Sequence, residues 1–139
     1  MIRWIWIALI LALACGCGSK SRWQHAAVEG KVTLDGVPIE RGAITFVPVG
    51  QTQGVATGAA IENGQYHIAA ADGPVVGTNR VEISAPKKTG RKVQAAMSDP
   101  GKTMDETVEA VPAKYNRNST LEREIKPEKN VFDFDLRTK

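Results

Sequence analysis

Two thiols are the most reactive groups in this chain, and they stand one residue apart. Cys15 and Cys17 are its only cysteines, and both lie where a short apolar run ends. The run Ile5-Trp6-Ile7-Ala8-Leu9-Ile10-Leu11-Ala12-Leu13-Ala14 follows one positive charge at Arg3 and stops at Cys15-Gly16-Cys17-Gly18-Ser19. A charged start, an apolar core of about 7–15 residues and a small-residue exit describe an export signal. Crossing the bilayer as a helix takes about 20 apolar residues, so this run is too short to span. A disulfide within Cys15-Gly16-Cys17 would violate the geometry that the bond requires. Ordinary secretion, with both thiols discarded inside the signal, is one reading of the pair.

The other reactive side chains do not assemble into a familiar set. Zinc needs three or four His, Cys or carboxylate ligands at workable spacing, and beyond the signal only His25 and His67 are available as histidines. His67 falls out of phase with Tyr66 and Ile68, which turns it toward solvent. Ser84 and Ser98 lack the Gly-x-Ser-x-Gly elbow of a hydrolase nucleophile. Asp133 and Asp135, with Asp72 or Asp99, offer carboxylate oxygens to a hard cation but lack the Asp-x-Asp-x-Asp-Gly loop spacing. The favoured reading of that pair is a solvated acidic face beside Lys129 and Arg137. No catalytic residue, metal ligand or cofactor is assigned. Sugar binding asks for exposed aromatics, and among Trp23, Phe46, Tyr66, Tyr115, Phe132 and Phe134 only Trp23 and Tyr115 fall outside the core pattern. These two are the candidate binding residues.

The Cys-bearing exit resembles the lipobox of bacterial lipoproteins, in which the cysteine after the cleavage point carries the lipid and becomes the new N-terminus. Gly16 precedes Cys17 and the polar Gly18-Ser19-Lys20-Ser21 follows it, so the lipidated residue is Cys17, with Cys15 as the alternative. The resemblance implies a signal peptide over 1–16, a flexible tether over 17–27 and a membrane-anchored protein of the cell envelope. Removing 16 of 139 residues leaves 123, which suits one domain. Its charge balance is 17 − 15 = +2 once Arg3 is gone. The only basic knot is Lys87-Lys88 with Arg91-Lys92, read as a solvated loop, and no nucleic-acid footprint is present. With no cysteine beyond residue 17, the core must hold without disulfides.

The elements that would position any site read as strands. Val28, Gly30, Val32 and Leu34 alternate with Glu29, Lys31 and Thr33, the pattern of a half-buried strand. Asp35-Gly36 and Asn63-Gly64 supply positive-φ turn residues. Ala43–Val47, Ala56–Ile61, Gln65–Ala69 and Arg80–Ala85 follow, then Ser119–Ile125 and Val131–Leu136. The last places Phe132, Phe134 and Leu136 on one face and the two aspartates on the other. About seven short strands point to an all-β sandwich over 28–139. Lys87–Pro112 fits no strand well and is expected to be a long mobile loop that could carry binding.

The run from Val28 to Ile39, then Gly42-Ala43-Ile44-Thr45-Phe46, resembles the opening of carboxypeptidase regulatory-like domains. Gly64-Gln65-Tyr66-His67-Ile68 with Gly77 and Arg80-Val81-Glu82-Ile83 is similar to their later half. That resemblance spans 28–86 and implies a seven-stranded transthyretin-like sandwich. The stretches from Val111 to Asn116 and from Asn130 to Leu136 are similar to small lipoproteins abundant in planctomycete-type bacteria. Where many such domains carry Gly-x-Tyr, this chain has Gly77-Thr78-Asn79, so a core aromatic is missing there. The transthyretin-like hydroxyisourate hydrolase ends in a Tyr-Arg-Gly-Ser-type motif, whereas this chain ends Asp135-Leu136-Arg137-Thr138-Lys139. The resemblance assigns no function; the Cys-bearing signal, the short strands and the lack of a catalytic set point to a non-catalytic structural or protein-binding module, with glycan binding as the alternative. Its partners would be the membrane through a lipid and an envelope protein or polysaccharide.

Overall fold

The computed structural model describes residues 22–95 and 101–139. The apolar run, Cys15, Cys17, Ser98 and Asp99 lie outside the described residues, as does the start of the expected tether.

Alternating burial builds the strands. β1 (Val28–Leu34) turns Val28 and Val32 fully inward and leaves Lys31 exposed. Thr33 and Leu34 pair with the two-residue β2 (Val37–Pro38) across Asp35 and Gly36, whose φ angles are 51° and 83°. Two successive left-handed residues make the tight turn whose twist suits a hairpin. β3 (Arg41–Pro48) buries Ile44 and Phe46, and β4 (Thr57–Glu62) buries Ile61. Asn63 and Gly64, at φ 50° and 73°, repeat the same reversal into β5 (Gln65–Ile68), which buries Tyr66 and Ile68. β6 (Gly77–Ser84) buries Asn79, Val81 and Ile83.

Beyond it come β7 (Pro86–Gln94) and β8 (Thr103–Glu109), then β9 (Glu122–Ile125), β10 (Asn130–Val131) and β11 (Phe134–Leu136). The main sheet runs β10-β1-β5-β4-β3-β6-β9, with β2 and β11 flanking the C-terminal half of β1. Its pairings are antiparallel except that β10 and β11 lie parallel to β1. The sheet curls over one core, in which the Tyr66 ring lies 6.3 Å from Phe46 and 6.4 Å from Phe134. The all-β class follows directly.

Three expectations need correction. The tether does not reach Ala27, because the chain is already fixed at Gln24. Val76 N–H donates to Gln24 O (2.8 Å), His25 bridges Val75, and Ala26 N–H donates to Pro74 O (3.1 Å) with Ala26 itself buried. The strand expected over Val131–Leu136 is interrupted at Phe132–Asp133. There the Phe132 carbonyl accepts the Tyr66 hydroxyl (2.9 Å), and the Asp133 carboxylate takes the Lys31 N–H (2.8 Å) that a strand carbonyl would otherwise accept.

The third correction is the largest. Residues 87–112, expected as a loop, contain β7 and β8, which form their own two-stranded ribbon. No residue of either strand is buried. Alternation in a sequence reports a buried face, and a ribbon that buries neither face leaves no such trace.

Asn79 occupies the place where an aromatic was missed. Its Nδ2 donates to Val75 O (2.8 Å) and Gly77 O (3.0 Å), while its buried Oδ1 has no hydrogen-bond partner. The amide ties the start of β6 to the preceding chain, a link that an aromatic ring could not make.

Candidate functional site

The outer face of β1 and β5 forms one wall of an open groove of about 980 Å³. Glu29 and Lys31 come from β1, Gln65 and His67 from β5, Glu62 from β4, and Val131 and Asp133 from the β10–β11 region. The groove opens where the β4–β5 hairpin splays, since these strands pair at Glu62–Gln65 beside the turn. Glu29 is the electrostatic centre, with Lys129 Nζ at 2.7 Å and His67 Nδ1 at 3.3 Å. The Lys129 hydrogen bond, opposed by desolvation and aided by the Lys129 charge and by His67, holds the Glu29 carboxyl below the usual carboxylate range. Burial pushes the Tyr66 hydroxyl well above the ordinary phenol range, and the Asp133 charge adds to this. The hydroxyl therefore stays protonated and donates to Phe132 O. Among the described residues that line the groove none is a serine, threonine or cysteine, and the His67–Glu29 pair stands beside Lys31 and Gln65 as a polar surface.

The β7–β8 ribbon carries several exposed ion pairs. Lys88 (2.6 Å) and Lys92 (3.3 Å) both reach Asp105 on one face. On the other, the Thr89-Gly90-Arg91 irregularity wraps Glu106, to which Arg91 donates from Nε at 2.8 Å and Nη2 at 3.1 Å. Val93, Met104 and Val108 are exposed, and alternation along the paired strands puts all three on the Glu106 face. A two-stranded ribbon by itself is marginal in water. This one is fastened at its base by Glu109, whose carboxylate accepts from Ser84 Oγ (2.6 Å), Ala85 N–H (2.8 Å), Val111 N–H (3.0 Å) and Asn116 Nδ2 (3.2 Å).

Partial burial opposes the Glu109 charge. The Ser84 hydroxyl and the Ala85 and Val111 amides outweigh that and hold its pKa below the ordinary 4.5. A depressed folded-state pKa means that this stabilisation is present above the unfolded value and lost as pH falls through the folded one. Glu109→Gln is therefore expected to lower stability by about 1–2 kcal/mol at pH 7, at the low end because water reaches the group. The variant should also lose part of the wild-type fall in Tm below pH 4.5. Melting curves from pH 7 to pH 3 check both, and parallel profiles would remove Glu109 as the clasp.

No known protein family, curated protein or solved structure matches this chain.

The residues singled out in the sequence are scattered. Tyr115 is half-buried against the core, its hydroxyl accepts the Arg137 N–H (3.3 Å), and Lys114 Nζ lies 5.0 Å from its ring centre. The fold thus uses the tyrosine that was assigned to ligand binding. Trp23 is half-buried at the other end of the chain's path, beside Gln51, Thr52, Gln53, Val75 and Val76. His67 is exposed, as expected, whereas His25 is part-buried with Nδ1 2.6 Å from Gly73 O. Asp133 serves Lys31, and Asp135 accepts from Thr33 Oγ1 (2.9 Å) and Arg137 Nη2 (2.6 Å). Among the described residues no group of three or more His, Cys, Asp or Glu side chains could hold a metal ion.

Glu109 and the two glutamines beside Trp23 escaped the sequence reading. Two of Glu109's partners, Ser84 and Ala85, lie 25 and 24 residues away, and Gln51 and Gln53 are likewise far from Trp23 in sequence, beyond the reach of a local signal.

Proposed function

We propose that this chain is an exported, lipid-anchored, non-catalytic module of the cell envelope that engages a protein partner through the β7–β8 ribbon. The observation that carries this reading is a charged ribbon, with three exposed apolar side chains and no buried residue, clasped to one end of a well-packed sheet. The placement of the ribbon adds support. The N-terminal segment meets β6 at its start, through Gln24 and Val76, while the ribbon leaves from its far end at Pro86. At about 3.3 Å per residue, β6 separates the two by roughly 25 Å. A lipid on Cys17 or Cys15 would then leave the ribbon on the side away from the bilayer, where a partner can reach it.

The transthyretin-like sandwich belongs to the same proposal. Setting aside β2 and counting the interrupted β10 and β11 as one strand reduces the nine strands of the main sheet to seven. The aromatic row Phe46–Tyr66–Phe134 lies in the interior, where a sandwich packs its two layers.

A photo-reactive residue at Met104 or Val108 in intact cells tests the proposal, with a Cys15→Ser/Cys17→Ser variant as the unanchored control. A single recurring cross-linked protein, absent from the control, is the expected result. Adducts identical to those of the control would count against the ribbon as a docking element.

A companion variant replaces residues 88–107 by Asn-Gly, keeping the Pro86–Glu109 and Lys87–Val108 pairs and the Glu109 clasp. Because the ribbon buries nothing, Tm is expected to move by no more than about 3 °C, while partner capture is lost. A collapse of Tm would show that the ribbon is part of the folding unit.

A further inference from the structure

We infer that the depression between the N-terminal segment and the 49–56 loop is a saccharide-binding subsite, one that goes beyond the docking role of the ribbon. It measures about 530 Å³ and is lined by Trp23, three glutamines (Gln24, Gln51 and Gln53), Thr52 and Arg22, with Val75 and Val76 in its wall. Among the described residues no carboxylate lines it. That composition matches the two faces of a sugar. The C–H face of a pyranose is apolar with positive edges and suits the negative face of an indole. Its hydroxyls both donate and accept, as do the primary amides of glutamine, so a single side chain can engage two neighbouring hydroxyls. The size falls within the range of small-molecule sites.

Both walls are held by one short segment, so the depression is formed before any ligand arrives. Val76 N–H donates to Gln24 O, which fixes the segment next to Trp23. The opposite loop is fixed by Thr52 N–H to Val49 O and by Val49 N–H to Thr78 O, each 3.1 Å. Thr52 also rests on Gly77, where an added Cβ would come within 2.5 Å of its Oγ1. Gly54 likewise packs on Val75, where an added Cβ would come within 2.5 Å of Cγ2. Val75–Thr78 thus sets the spacing between the indole and the glutamines, and little ordering entropy remains to oppose binding. Arg22 at the rim lets the subsite discriminate between neutral sugars and uronates.

Trp23 can be made its own reporter, since Trp4 and Trp6 are the only other tryptophans. The full chain carrying Trp4→Phe and Trp6→Phe is purified in a zwitterionic detergent without a sugar headgroup. It is then titrated with cellotetraose, chitotetraose and trigalacturonate. A saturable change in Trp23 emission with at least one of them is expected, weakened about tenfold or more by Gln51→Ala/Gln53→Ala with Tm unchanged. Preference for trigalacturonate would assign an acidic glycan, and preference for the neutral tetramers a neutral one. No saturable change up to about 10 mM, a weak limit even for so small a ligand, would overturn the inference. A change that persists undiminished in the double variant would overturn it equally, as stacking without a site. No partner protein or membrane enters this experiment, so its outcome is independent of the cross-linking test of the ribbon.

Discussion

Gly30→Ala is expected to destabilise this protein by about 3–4 kcal/mol, because the backbone of Phe132 occupies the space that a methyl group would need. A Cβ on Gly30 would lie 1.9 Å from Phe132 O and 2.6 Å from Phe132 C. The carbonyl has no freedom to retreat. It accepts the Tyr66 hydroxyl, the Phe132 N–H donates to Glu29 O (2.9 Å), and β10 and β11 hold the chain against β1 on either side. The damage therefore combines a forced backbone shift with the loss of the Tyr66 hydrogen bond and of the pairing of β10 and β11 with β1. Gly36→Ala is the control. Gly36 sits at φ 83°, and a methyl group there would meet nothing within 4 Å. It should lose only the roughly 1 kcal/mol of a strained left-handed residue. Urea midpoints for the two variants measure the difference. Equal destabilisation would mean that the Phe132 carbonyl is not the obstacle.

The second large effect is expected at Phe46. Its ring is fully buried, and it leads the row Phe46–Tyr66–Phe134 that joins β3 to β5 and β11 across the core. Phe46→Ala removes a whole aromatic side chain from a close-packed interior and should lower stability by about 3–5 kcal/mol. Phe46→Leu keeps most of the volume and should lose about 1–2 kcal/mol. A domain of this size has only about 5–15 kcal/mol in hand, so the alanine variant would be partly unfolded at modest temperature. Pairing Phe46→Leu with Tyr66→Leu in a double-mutant cycle isolates the ring–ring contribution, expected at about 0.5–1.5 kcal/mol. A Phe46→Ala loss below about 1 kcal/mol would show that the core closes around the site and that this ring does not join the strands.

The legible parts of the sequence were those in which a local rule and a buried face agree. Val28 and Val32 point inward because every second residue of β1 meets the core, and Asp35-Gly36 and Asn63-Gly64 turn because both pairs enter the left-handed region. Tyr66 was readable as a core ring with a bonded hydroxyl, and His67 as its outward neighbour. Trp23 could be singled out as an aromatic outside the core pattern, but not the glutamines that line the same depression. The ribbon was illegible because its strands follow no burial pattern, only cross-strand charge pairs such as Lys88–Asp105 and Arg91–Glu106.

By its own order of residues, then, this chain determines an all-β class, the two tight reversals and the inward face of each main strand. These depend on neighbours one to four residues apart, where alternation and φ preferences act directly. The tertiary structure alone decides that Asp133 substitutes for a strand carbonyl, that Glu109 clasps a ribbon to the sheet, that Tyr115 is absorbed into packing and that Trp23 lines one depression with Gln51 and Gln53. Each depends on groups far apart in sequence meeting at a fixed distance, and only the closed fold sets such distances.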